Sequence, residues 1–234
     1  MISIIIPAKN EERYLSRLLD SIRMQNVKNL EIIVADAASI DKTAEIASAY
    51  GCRIVEGGKP SVGRNNGAKY SFGDMLIFKD ADSPFPSNFL IPAINEFNER
   101  KLDVAGTLQH AFTEKNGFAK FRYDIYMQLV NLFLKSAQYT KRPLMQNCMF
   151  ARKEIHEKIG GFNENIEFGE DSEYAKRAKN MGYNFGILKS CGKTWFSIRR
   201  FEKNEIKILL KTVYFNAGSA LGHEFRKDGA VRYW

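Results

Sequence analysis

Four short runs of branched, apolar residues punctuate the first eighty positions: 2–7 (ISIIIP), 31–35 (EIIVA), 52–56 (CRIVE) and 75–79 (MLIFK). A run of three consecutive isoleucines has no inside and outside. It suits a strand covered on both faces, as in a parallel sheet flanked by helices. Between the runs the period changes. Leu15, Leu18, Leu19 and Ile22 share one helical face, with Asn10 ahead of them as a capping candidate. Asp41 is placed to cap a second helix carrying Ala44, Ile46 and Ala47, and Gly57-Gly58 makes a turn before a helix over 64–70. A helix over 88–100 and a strand over 104–108 follow. This alternation predicts an α/β fold with a mostly parallel central sheet and helices on both faces.

The second half is less regular. Residues 117–137 read as one long helix, 146–151 as a strand, 171–180 as a helix and 183–188 as a strand, with Gly160-Gly161 as a break. A last helix over 204–221 carries Ile206, Leu209, Leu210 and Val213 on one face. The expected division is a ligand-binding half over 1–110 and a second half over 111–234 with a basic amphipathic tail, the two forming one continuous domain.

With 44% hydrophobic and 26% charged residues, the chain has the composition of a folded globular protein, which excludes disorder and fibrous repeats. Three dispersed cysteines, Cys52, Cys148 and Cys191, with no CxxC pair, argue against a disulfide framework or a zinc site and fit a reducing compartment. The start lacks signal-peptide organisation. No window of about 18 residues is free of charge, so no membrane span is expected. The expected location is the cytoplasm, with peripheral attachment at the inner face of the cell membrane as a further option. That option rests on charge: from residue 193 onward nine Lys/Arg face four acids, which places five of the net +8 in the last 42 residues. A basic end favours anionic partners, against the reading of a solvated face.

Three acidic groups carry the chemistry. Asp80-Ala81-Asp82 follows directly on the fourth apolar run. Ligands of open α/β sheets bind beyond the carboxyl ends of strands. Two carboxylates one residue apart there call for a cation, and a hard divalent metal sharing diphosphate oxygens meets that need. The competing reading is an exposed acidic turn. Asp36 ends the second run, on the same sheet edge, where a carboxylate can accept from a base N–H or a ribose hydroxyl. Glu170-Asp171 opens a helix after Gly160-Gly161-Phe162 and Gly169. Acids in a first helical turn suit the helix dipole. A carboxylate at a cleft edge can also take the proton from an attacking hydroxyl.

Together these segments resemble family 2 glycosyltransferases. Ser3-Ile4-Ile5-Ile6-Pro7-Ala8-Lys9-Asn10-Glu11 is similar to the family's opening strand, and Val34-Ala35-Asp36-Ala37-Ala38-Ser39-Ile40-Asp41 to its second-strand segment. Gly63-Arg64-Asn65-Asn66-Gly67 resembles the Arg/Asn/Gly helix before the metal motif, Asp80-Ala81-Asp82 the DxD, Gly160-Gly161-Phe162 with Gly169-Glu170-Asp171 the GGF…ED segment, and Ser197-Ile198-Arg199-Arg200-Phe201-Glu202 a later basic segment. The first five, weak singly, are specific as a set in this order. The sequence departs at Ala38, where the family usually has Gly, and at Ala37, where a second Asp is frequent.

The resemblance implies a GT-A fold, a nucleoside-diphosphate sugar donor and inversion at the anomeric carbon. It implies Pro7, Ala8 and Glu11 in the nucleotide pocket, Asp36 at the base, and Arg64 near the base or diphosphate. It further implies Asp80 at the ribose or metal, Asp82 on a manganese or magnesium ion, and Asp171 as base with Glu170 orienting. Arg199 or Arg200 would meet the diphosphate or an anionic acceptor, and His223 is a candidate further metal ligand, against a lone surface histidine. The expected acceptor is a glycan or lipid-linked sugar hydroxyl. A polyprenyl-phosphate acceptor and a nucleotidyltransferase are the alternatives; the latter usually has a Gly-rich basic loop where Ala8-Lys9-Asn10-Glu11-Glu12 stands. A nucleic-acid partner is disfavoured, since the acidic sheet edge repels a phosphate backbone. Helix 118–134 carries two apolar stripes: Phe118, Phe121, Ile125, Leu129, Leu132 and Phe133 on one, Tyr123, Tyr126, Val130 and Leu134 on the other. A helix apolar nearly all round is expected to be buried, with a lipid-facing element as the alternative.

Overall fold

Ile4, Ile5 and Ile6 are all fully buried, and they divide between two cores. Ile4 and Ile6 pack with Leu15, Leu18, Leu19 and Ile22 on one side of the sheet, and Ile5 packs with Ala68, Ile155 and Tyr174 on the other. This is why the run does not alternate.

The computed structural model describes residues 1–113, 117–166 and 169–199. In chain order the strands are β1 (Ile2–Ala8), β2 (Leu30–Asp36), β3 (Arg53–Glu56), β4 (Met75–Lys79), β5 (Val104–Phe112), β6 (Cys148–Arg152) and β7 (Phe185–Ser197). The helices are α1 (Leu15–Arg23), α2 (Thr43–Ala49), α3 (Pro60–Lys69), α4 (Leu90–Glu99), α5 (Phe118–Ala137), α6 (Lys153–Lys158) and α7 (Glu170–Asn180). The strands form one sheet in the order β3-β2-β1-β4-β6-β5-β7. β1 runs parallel to β2 and β4, β2 to β3, and β5 to β7; β6 alone is antiparallel, wedged between β4 and β5. The register pairs Ala8 with Asp36 and Ile5 with Phe78, so β1, β2 and β4 end on one edge of the sheet. Helices α1, α2 and α4 cover one face, and α3, α6 and α7 the other.

Asn10 does not cap α1. It takes φ +55, its Oδ1 accepts from the Ile40 N–H at 2.9 Å, and its own N–H donates to Ser39 Oγ at 2.9 Å. The Glu11 N–H donates to Thr43 Oγ1 and the Glu12 N–H to Asp41 Oδ2. The loops leaving β1 and β2 are thus laced together, and Asp41, which also accepts from the Thr43 N–H, serves both the start of α2 and this lacing. Ala38 in this loop has φ +53. That left-handed conformation is open to glycine and costs an L-residue about 1–2 kcal/mol, so alanine is held there at an energetic cost.

The strand read over 183–188 continues to Ser197. Pairing with β5 slips between Thr107 and Leu108, whose partners are Leu188 and Lys193. The intervening polar residues bulge outward, where the Lys189 and Ser190 N–H groups and the Ser190 hydroxyl donate to Glu96 on α4. Helix α6 was not foreseen: six residues are too few to show a period.

Helix α5 corrects the expectation of a fully buried element. Tyr123, Tyr126, Val130 and Leu134 face a third core built on Leu108, Ala111, Ile187 and Ile198. Phe121, Ile125, Leu129, Leu132 and Phe133, on the other stripe, are 43–61% exposed. Among the described residues no helix is long and apolar enough to cross a membrane. Arg200, His223 and the basic helix expected over 204–221 lie outside the described residues.

Candidate active site

Arg64 projects from α3 into the centre of the site, with its side chain 3% exposed. Small residues make this possible, for Gly63 and Gly67 let α3 lie against Pro7 and Ile5 of β1. From there the guanidinium forks to three carboxylates. Nη1 donates to Glu170 Oε1 at 2.8 Å and Asp171 Oδ1 at 2.9 Å, and Nη2 to Asp80 Oδ1 at 3.0 Å. One arginine therefore joins the end of β4 to the first turn of α7. Burial opposes its charge, and the three carboxylates outweigh that and raise its pKa. Asp171, 14% exposed, has a carboxyl held well above the ordinary carboxylate range. Burial raises it, while Arg64 and the Asn147 backbone N–H oppose that shift.

The neighbour of Arg64 fixes the approach of α7. Asn65 accepts from the Phe162 N–H at 2.8 Å and donates to the Phe162 carbonyl at 2.9 Å. Gly161 has φ +66, and a Cβ there would meet Asn65 Oδ1 at 2.6 Å, so the Gly-Gly-Phe turn is shaped to this amide. Phe162 stacks on Tyr174 of α7 at 4.3 Å between centroids, and the Arg64 guanidinium lies 5.3 Å from the Phe162 ring centroid.

The second acid of the DxD faces a different cation. Asp82, with its side chain 11% exposed, meets Arg199 Nε at 2.8 Å through Oδ2 and accepts from Ser83 Oγ at 3.1 Å through Oδ1. Arg199 also donates to Glu11 and lies 4.7 Å from the centroid of the Tyr14 ring. The end of β4 thus carries one acid into each of two charge clusters: Asp80 joins Arg64, Glu170 and Asp171, while Asp82 joins Arg199 and Glu11. Asp36 stands apart at the end of β2. It has a local partner that the sequence did not suggest, since the Ser39 N–H and hydroxyl both donate to it. Pro7 and Ala8 lie beside this loop at the end of β1, where the Ala8 carbonyl accepts from the Ala37 N–H at 2.9 Å.

Sequence reasoning missed Lys79. It closes β4 fully buried, donating from Nζ to Asn147 Oδ1 at 3.0 Å and the Trp195 carbonyl at 3.2 Å. Burial lowers its pKa, and Asp80 and Asp82 oppose that. Lys79 ties the strand below the DxD to β7 and to the loop whose N–H reaches Asp171. A cation ending an apolar run just before two acids was the available signal.

Carboxylates at the sheet edge suit a hard divalent cation. Among the described residues no three His, Cys, Asp or Glu side chains form a self-sufficient metal site.

The family model described as Glycosyl transferase family 2 matches residues 3–160, and the chain belongs to that family. Glycosyltransferase AglE of Haloferax volcanii is 25% identical over 78% of this chain and 62% of its own length. The uncharacterized glycosyltransferase RT0329 of Rickettsia typhi is 36% identical over 73% of this chain and 56% of its own. The chain thus spans less than two thirds of these relatives. Among solved structures, mannosyltransferase PcManGT from Pyrobaculum calidifontis, in complex with GDP-Man and Mn2+, superposes with a TM-score of 0.74 at 18% identity, over 97% of this chain and 65% of its own. The fold is GT-A, a mixed α/β architecture with a mostly parallel sheet.

Proposed function

We propose that this chain transfers a sugar from a nucleoside-diphosphate sugar to a hydroxyl acceptor, with a divalent metal and with inversion of the anomeric carbon. The observation that carries the reading is the buried Arg64, which holds Asp80 of the donor-side motif and Asp171 of the acceptor side on one guanidinium. Donor and base positions are then set by a single rigid group. The neighbour solved with GDP-Man and Mn2+ supports the donor class and the metal.

In this reading Asp82 would hold manganese or magnesium, which would supply Lewis-acid stabilisation of charge on the diphosphate. Pro7, Ala8, Glu11 and Asp36 receive the nucleoside from the laced loops after β1 and β2. Asp171 takes the proton of the acceptor hydroxyl as that oxygen attacks the anomeric carbon from the face opposite the diphosphate. Its raised pKa makes it a stronger base than an ordinary carboxylate. Glu170 shares Arg64 Nη1 with it and orients the pair. Arg199 or Arg200 serves the diphosphate or an anionic acceptor.

Calorimetry of the chain with a panel of UDP- and GDP-sugars tests the donor site. Binding is expected with manganese, to weaken sharply on chelation, and to be lost equally in Asp82→Ala without chelator. Equal affinity with and without chelator would overturn the metal role.

The exposed face of α5 favours a lipid-linked acceptor. Phe121, Ile125, Leu129, Leu132 and Phe133 form an exposed apolar stripe on a helix that also carries the exposed Arg122 and Lys135. Large apolar side chains flanked by cations are the pattern of a helix lying in a membrane interface. The reaction would then take place at the inner face of the cell membrane, with the basic tail adding attraction of about 1 kcal/mol per cation near the surface. The chain is expected to co-sediment with phosphatidylglycerol vesicles at low salt and to be released by salt. Phe121→Ser/Leu129→Ser should reduce pelleting. No pelleting at low salt would remove the membrane role.

A further inference from the structure

Both oxygens of Asp82 are engaged: Oδ1 by the Ser83 hydroxyl and Oδ2 by the guanidinium of Arg199. A hydroxyl can turn away at little cost. The guanidinium is held on three sides, by Asp82 at the end of β4, by Glu11 in the loop after β1, and by the face of Tyr14. Arg199 lies two residues past the end of β7, and the backbone N–H of Ser197, the last residue of that strand, reaches Ser83 Oγ at 3.3 Å. The residue after Asp82 thus also touches the strand end that delivers the arginine.

A divalent ion on Asp82 would occupy a lone pair that now faces Nε at 2.8 Å, and would stand beside a positive charge. An ion on Oδ2 therefore competes with the guanidinium for that oxygen and is repelled by its charge. We infer that Arg199 is a positioning residue that stands in for the metal on Asp82 and is displaced when the metal binds, with Glu11 as the second anchor of this resting position. The inference rests on the reading of Asp82 as the metal carboxylate. The resting contact keeps two acids from repelling one another in the absence of ion and donor. Displacement then frees a cation next to the site where the diphosphate arrives. Metal and nucleotide binding are coupled through one side chain, by exchange of partners.

The test uses a variant whose effect differs in sign between this exchange and simple electrostatics. Glu11→Gln removes a negative charge near Asp82. By charge alone it weakens metal binding. By loosening the anchor of Arg199 it tightens it. Mn2+ is titrated into the full 234-residue chain, and free Mn2+ is read by electron paramagnetic resonance, with circular dichroism to verify folding. Affinity is expected to rise about three- to tenfold in Glu11→Gln and about tenfold in Arg199→Ala, the sizes set by removing one largely buried ion pair. Arg199→Lys, which keeps the charge and loses the two-pronged contact, should fall between wild type and Arg199→Ala. Unchanged or weaker binding in Glu11→Gln, or no detectable binding to Arg199→Ala, overturns the exchange. Asp82→Ala separates this failure from failure of the underlying reading. If it binds Mn2+ as wild type does, Asp82 is not the metal carboxylate; if it loses binding while Glu11→Gln gains none, only the exchange falls.

Discussion

Asp171→Asn is expected to bind donor with near wild-type affinity and to lower turnover by about 10²-fold or more, the usual size of a general-base contribution. The amide is nearly the same shape as the carboxylate, and its oxygen can still accept from Arg64 Nη1, which lies 2.9 Å from Asp171 Oδ1. What the variant loses is basicity. A sugar hydroxyl is a poor nucleophile until its proton is taken. The wild-type enzyme should also report this group in its pH profile. Only the ionised carboxylate acts as a base, so kcat should rise with pH through the Asp171 pKa, which lies above the ordinary carboxylate range because the group is buried. That acid limb should vanish in Asp171→Asn. Glu170→Gln, which removes an orienting partner, should cost less. Normal turnover of Asp171→Asn would remove the base and leave an acceptor that is already ionised, a polyprenyl phosphate, as the leading reading.

Arg64→Met is expected to destabilise the protein by about 3–5 kcal/mol, the cost of removing one partner from a buried ionic cluster. Glu170 and Asp171, 15% and 14% exposed, would face each other without the cation between them. Asp80, 39% exposed, would be screened by water and contributes least. Urea unfolding measures the loss. Arg64→Lys should recover part of it, because an ammonium carries the charge without the planar fork that reaches three carboxylates. Since Arg64 lowers the Asp171 pKa against the effect of burial, weakening that contact should move the acid limb of kcat to higher pH in Arg64→Lys. A stability of Arg64→Met equal to wild type would show that the cluster is not held by this residue.

Much of the first half was legible because its signals are local. The isoleucine run, the Leu15–Ile22 spacing and the acid pair after β4 each depend on residues within a few positions. What escaped depends on partners distant in sequence. Asn10 has the chemistry of a helix cap, but Ile40 and Ser39 on the adjacent loop claim it. Asp36 had no visible partner because Ser39 reaches it only once Ala38 turns left-handed. The resemblance led to Arg64 near the base or diphosphate. Its bonds to Glu170 and Asp171 span more than a hundred residues, and no spacing rule encodes that. On α5 both stripes are apolar, so periodicity could not choose which faces the core, and the helix was expected to be buried all round.

The placement of β6 bears on how the chain is made. β4, which delivers Asp80 and Asp82, is paired with β1 on one side and β6 on the other, and β6 is also the strand that joins β5 to the β4 side of the sheet. During synthesis β1 to β4 can assemble as they emerge, but β4 keeps an open edge until residues 148–152 follow, after β5 and the whole of α5. Emerging earlier, β5 must leave that edge free for a strand not yet synthesised. The nascent chain therefore carries an unpaired strand edge for about seventy residues, at a translation rate of roughly 5–20 residues per second. An unpaired edge is a template for wrong partners. The same strand that completes the catalytic sheet is thus the point at which a slow ribosome or a truncated message would expose the protein to aggregation.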